Sequence, residues 1–154
     1  MIIFISGKAG SGKDTFGIML GYVLHAITNP NKANYHPNIN NFINIVERID
    51  NGDDVKSIFN SIYFTALAEP LKDSVAGLIG SDSKYLNIDL FKRSKSCYKI
   101  NGKNLTIREL LIYFGDIVRK DNPYFFIDSL LGRVEVYKDI FNKNIAIVTD
   151  LRLK

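Results

Sequence analysis

Near the amino terminus, Gly7, Lys8, Ala9, Gly10, Ser11, Gly12 and Lys13 follow the order G-x-x-x-x-G-K, the spacing with which a backbone wraps around a polyphosphate. Glycines let successive N–H groups turn inward on an anion. A following helix adds the positive end of its dipole, and Lys13 reaches the β- and γ-phosphates. The next place departs from the usual pattern, with Asp14 where a Ser or Thr hydroxyl normally binds Mg2+ and Thr15 one residue later. Both are candidate metal-site residues, although a carboxylate in a first helical turn also serves as a simple dipole partner. Asp150 ends an apolar run, the usual setting for an acid that orients Mg2+ in nucleotide-phosphate enzymes; capping the next turn is its competing role. Phosphoryl transfer also needs cations on the transferred group. Arg108, Arg119 and Arg133 are the candidates, because a guanidinium fork grips two oxygens at once, while Arg152 beside Asp150 is expected at the carboxyl edge of the sheet, where ligands of open α/β folds bind.

These residues need a scaffold, and the apolar pattern predicts one. Residues 2–6, 62–67 and 145–149 read as three buried strands, each too uniformly apolar to leave a face in water. A helix is expected over 14–27, with Phe16, Met19, Leu20, Val23, Leu24 and Ile27 as its buried stripe. Further helices are expected over 39–49, weakly over 55–60, and over 70–79, where Pro70 sits in the first turn. The Asn101-Gly102 pair predicts a tight type I′ hairpin. Thr106 and Glu109 have capping-box spacing, so a helix should start there and carry Ile107, Leu110, Leu111, Phe114, Ile117 and Val118 on one side. Asp121, Asn122 and Pro123 predict the start of another, running to 141, whose Tyr124, Phe125 and Phe126 are core or, for one of them, a base-stacking ring. The expected fold is α/β: a parallel sheet of three visible strands flanked by helices, with helical insertions at 29–60 and 81–141. The chain stops at Lys154, four residues past Asp150 at the end of the third strand. A single domain is expected over 1–154, either minimal or incomplete at its carboxyl end.

Composition narrows the class further. With 154 residues, 46% apolar and 23% charged, the chain fits one globular domain and excludes disorder and fibrous repeats. A single cysteine, Cys97, and two distant histidines, His25 and His36, exclude an internal disulfide and a zinc site of standard spacing. The opening run 1–5 is too short for a signal sequence or membrane span, so a cytoplasmic location is expected, in the host cytoplasm if the source is viral. A net charge of +4 without a basic block suits small phosphate ligands; stable nucleic-acid or membrane binding is not expected, and a homodimer stays open.

Several separated segments together resemble the deoxynucleoside monophosphate kinases of tailed bacteriophages: residues 7–15 ending in Lys-Asp-Thr, Ala-Glu-Pro-Leu-Lys at 68–72, Thr-x-Arg-Glu-Leu-Leu at 106–111, Phe114-Gly115 with Arg119, Asn-Pro-Tyr-Phe-Phe at 122–126 and Asp-x-Arg at 150–152. The resemblance implies a P-loop kinase fold and transfer of the γ-phosphoryl of ATP to a deoxynucleoside 5′-monophosphate, with Mg2+. It implies that residues 7–15 bind ATP, that Asp14, Thr15 and Asp150 serve the metal, and that Lys13, Arg119, Asp150 and Arg152 serve catalysis. Lys72, Arg108, Arg119 and Phe126 would contact the acceptor, Phe126 standing where the family commonly has Trp. Two departures stand out: a longer 29–60 segment, and no residues for the strands and lid that follow Asp-x-Arg in the family. Two other readings compete with this one: a phosphate-loop regulatory protein that no longer transfers phosphoryl groups, and a small-molecule kinase such as phosphomevalonate kinase, which shares the Gly-Lys-Asp ending.

Overall fold

Strands with no polar side must be covered on both faces, and three such segments here build a parallel sheet. A computed structural model describes residues 1–8, 10–28, 39–50 and 59–151. In chain order it contains β1 (Ile2–Ser6), α1 (Lys13–Thr28), α2 (Ile39–Asp50), β2 (Ile62–Ala66), α3 (Glu69–Ile79), a 3₁₀ turn (Ser83–Asn87), α4 (Asp89–Arg93), β3 (Lys95–Ile100), β4 (Lys103–Thr106), α5 (Ile107–Asp121), α6 (Phe125–Phe141) and β5 (Ile145–Leu151). The sheet order is β1-β5-β2, so the last strand lies in the middle, parallel to both neighbours. The expectation of an α/β sheet of three parallel strands with flanking helices therefore holds, but the expectation that all three are buried does not: β1 lies at the edge, with Ile2 39% and Phe4 45% exposed. Of the expected insertion at 29–60, α2 is a helix, while 29–38 and most of the weak helix at 55–60 lie outside the described residues.

The chain divides into two compact units, one of Met1–Leu67 with Arg133–Lys154 and one of Ala68–Gly132. In the first, Ile5, Ile18, Tyr22, Ile45, Phe59, Ile62, Ile145 and Ile147 form the core. Side chains alternate across the sheet. Ile5, Ile147 and Thr149 point toward α1, where a Cβ on Gly17 would come within 3.2–3.4 Å of all three. One helical turn later, a Cβ on Gly21 would collide with the Phe64 ring. On the other face Tyr63 stacks on Tyr137 of α6 at 3.9 Å.

That arrangement corrects the expected face of α1. The buried residues are Gly17, Ile18, Gly21, Tyr22, His25 and Ala26, whereas Phe16 and Ile27 from the predicted stripe are 55% and 67% exposed. The helix is apolar nearly all round, so hydrophobicity alone did not choose its face. Close approach did: only the side carrying two glycines one turn apart lets the helix axis come down onto the sheet.

The second unit has its own core of Val75, Ala76, Leu86, Ile107 and Leu110. Its hairpin turns at Asn101 and Gly102, both at positive φ (50° and 80°), as the type I′ reading requires. Thr106 caps α5 through the expected reciprocal box with Glu109. The α5–α6 boundary differs from expectation. α5 continues through Asp121, the Asn122 side chain accepts from the Tyr124 N–H at 3.0 Å, and α6 begins only at Phe125. Asn122 thus closes a turn between the helices instead of starting one.

Candidate functional site

The local physics of the amino-terminal loop follows from its glycines. Gly10 and Gly12 hold φ of +74° and +76°, while Ser11 between them stays out of the positive region. Alternation of this kind is the backbone pattern of an anion nest. Within the turn the Ser11 N–H donates to the Lys8 carbonyl at 3.2 Å. α1 then opens with the Phe16 N–H donating to the Gly12 carbonyl at 2.8 Å, which makes Gly12 the capping residue. The N–H groups of residues 12–15 consequently have no acceptor inside the helix, and the positive end of the helix dipole sits among them. Ala9 lies outside the described residues.

Lys13 folds back over this turn and donates from Nζ to the carbonyls of Gly7 at 2.9 Å and Lys8 at 2.7 Å. Its ammonium thus stands beside the loop backbone. Gly7 has to be small for this, because a Cβ there would come to 2.8 Å from the Ser11 hydroxyl and 3.4 Å from Lys13 Cγ.

β5 supplies the opposite wall. β1 pairs regularly with it from Ile2 to Phe4, then skips, so that Thr149 and Asp150 together oppose the single residue Ile5. This is a bulge at the carboxyl end of the central strand, and Asp150 takes its left-handed conformation, φ +66°. Aspartate tolerates that region better than most residues. Thr149 is buried and donates from its hydroxyl to Asp14 Oδ1 at 2.6 Å. The Asp14 carboxylate, on the first turn of α1, is thereby tied to the strand that ends in Asp150. Thr149 is the site residue that the sequence reading missed. Its only sequence signal was adjacency to Asp150.

Asp14, Thr15 and Asp150 are all oxygen donors, the kind that hard divalent cations prefer. Among the described residues, no three of His, Cys, Asp and Glu stand together. Arg152 lies outside the described residues.

Lys72, Arg108, Arg119 and Phe126 belong to the second unit, and each is engaged there. Lys72 Nζ donates to Asn87 Oδ1 at 2.7 Å. Arg108 pairs with Asp89, which also holds Arg93 at 2.8 Å, one helical turn along α4. Arg119 pairs with Asp116 at 2.8 Å and lies over the Phe126 ring, 5.9 Å from its centroid. Arg119 and Phe126 are thus together, while Arg108 sits in a separate charge cluster. Phe126 is buried and meets Phe125 edge-on; Tyr124, at 66% exposed, is the most open of the three aromatic residues. Arg133 opens the part of α6 that belongs to the first unit.

No family model, curated protein or solved structure matches this chain. No helix among the described residues is long and apolar enough to cross a membrane.

Proposed function

We propose that the chain is a P-loop kinase that transfers the γ-phosphoryl of ATP to a deoxynucleoside 5′-monophosphate. The observation that supports this most is the turn between β1 and α1, where left-handed glycines flank Ser11, Lys13 stands at the loop backbone and α1 opens directly behind. An ATP triphosphate accepts from the loop and helix N–H groups, and Lys13 exchanges its carbonyl partners for phosphate oxygens. An oxygen of the acceptor's phosphate attacks the γ-phosphorus in line. The bond from that phosphorus to the β–γ bridging oxygen breaks, so ADP leaves and the acceptor becomes a diphosphate. Charge developing on the transferred group is met by Lys13 and, in this reading, by Arg119 and Arg152. Acceptor recognition falls to Lys72, Arg108 and the aromatic residues around Phe126.

The donors Asp14, Thr15 and Asp150 fit Mg2+, which takes one or two carboxylates and keeps its remaining places for water and phosphate. When bound, the ion neutralises charge on the β- and γ-phosphates. Asp14 and Thr15 would hold it from α1 and Asp150 from β5.

The test is ADP release by the purified chain with Mg2+ and ATP, offered each deoxynucleoside monophosphate in turn. Release that depends on one or more of these acceptors supports the proposal. Tight ATP binding with no release for any acceptor points to a non-transferring nucleotide binder, and release only with phosphomevalonate to a small-molecule kinase; either result overturns it.

A further inference from the structure

In P-loop enzymes the magnesium site pairs a hydroxyl on the loop with a carboxylate at a strand end. Here a carboxylate, Asp14, stands on the helix where that hydroxyl would be, and the hydroxyl of Thr149, one residue before Asp150 on β5, donates to it at 2.6 Å. We infer that this pair is the device that aims the metal-binding carboxylate, with Thr149 as the positioning residue for Asp14. The inference rests on the nucleotide-binding reading above.

Three features fix Thr149 for that task. It is buried in the sheet, and its hydroxyl has the Asp14 oxygen as acceptor. Its methyl lies over Gly17, where an added Cβ would come within 3.2 Å, so the glycine that lets α1 approach the sheet also makes room for this rotamer. The bulge at Thr149 and Asp150 ends the regular pairing of β1 with β5 at this point, where the Thr149 hydroxyl meets Asp14. A hydroxyl donating to one carboxylate oxygen leaves the other oxygen for a cation and holds the group in one orientation. Outer partners of metal ligands act this way, and losing one commonly lowers metal affinity about 10- to 100-fold.

Calorimetric titration of the full chain with ATP, in Mg2+ and in EDTA, separates the roles. Thr149→Val keeps the methyl packing and removes the hydroxyl. The inference expects it to weaken ATP binding in Mg2+ roughly tenfold or more, with binding in EDTA unchanged. Thr149→Ser keeps the hydroxyl, removes the methyl and should retain most of the wild-type response to Mg2+. Should the Val variant fail to fold, Thr149→Ala gives the same reading. If the hydroxyl-free variant keeps the wild-type Mg2+ response, or loses affinity equally in EDTA, the positioning role is overturned while the nucleotide reading survives. If the wild-type chain binds no ATP in either condition, both are overturned.

Discussion

Lys13 has two relations to its loop, and they make different demands. Its Nζ holds the carbonyls of Gly7 and Lys8 in this structure, and the proposed chemistry asks it to hold phosphate oxygens. A compact ammonium with three rotatable donors can exchange one set for the other. Lys13→Ala should therefore lower turnover by about 100-fold or more, with little change in thermal midpoint, since the side chain is only half-buried. Lys13→Arg should not restore it, because a planar fork does not reproduce a point donor beside the tightly packed Gly7. Steady-state ADP release on both variants, together with their melting curves, checks this. Turnover retained in Lys13→Ala removes the residue from the chemistry.

At the scale of elements, small residues and caps set the geometry that the site inherits. Gly21→Ala pushes a methyl into the Phe64 ring and should cost about 1–3 kcal/mol. Gly77→Ala, on an exposed position of α3 with open space around it, should instead stabilise by about 0.5–1 kcal/mol. Urea midpoints for the two variants should move in opposite directions. The capping box of α5 adds a pH signature. The Thr106 N–H, then its hydroxyl, and more weakly Lys103 hold the Glu109 carboxyl below its ordinary value, against a small opposing effect of burial. A carboxylate depressed in the fold stabilises it above its unfolded pKa, and that contribution fades as pH falls through the folded value. Glu109→Gln should thus melt below wild type at neutral pH, with the gap closing below about pH 4. A gap that is constant with pH would show that the ionised group is not responsible. Much at this scale was legible beforehand: the three strands, the Asn101-Gly102 turn and the Thr106–Glu109 box all follow from local rules that no tertiary contact overrides. The buried face of α1 was not, because periodicity weighs side chains, and glycines that admit a neighbouring sheet weigh almost nothing. The loop residues and Asp14 were readable from their spacing. Thr149 was hidden because its partner is 135 residues away, a pairing that only the central placement of β5 creates.

For the whole molecule, two cores in one chain raise the question of whether it unfolds as one cooperative body or as two. The second unit interrupts the first in sequence, between Leu67 and Arg133, yet its buried residues gather among themselves. It is a short segment with a small core, so removing a buried methyl pair should matter disproportionately there. Val75 is fully buried in that core, and Val75→Ala should cost about 2 kcal/mol through lost transfer energy and an imperfectly closed cavity. If each unit is its own cooperative body, amide exchange should speed up across α3 and α5 in this variant, while the amides that pair β1, β5 and β2 keep their wild-type protection. Faster exchange in both sets by the same factor would mean that one global opening exposes them all. The outcome bears on the proposed chemistry, since the loop and the Asp14–Thr149 pair lie in the first unit, while Arg119 and Phe126 lie in the second. Independent opening would let the proposed acceptor-binding residues loosen without disturbing the proposed nucleotide seat, so Val75→Ala should raise the acceptor KM while leaving ATP affinity near wild type. Equal loss of both would tie the two sites to a single folding equilibrium.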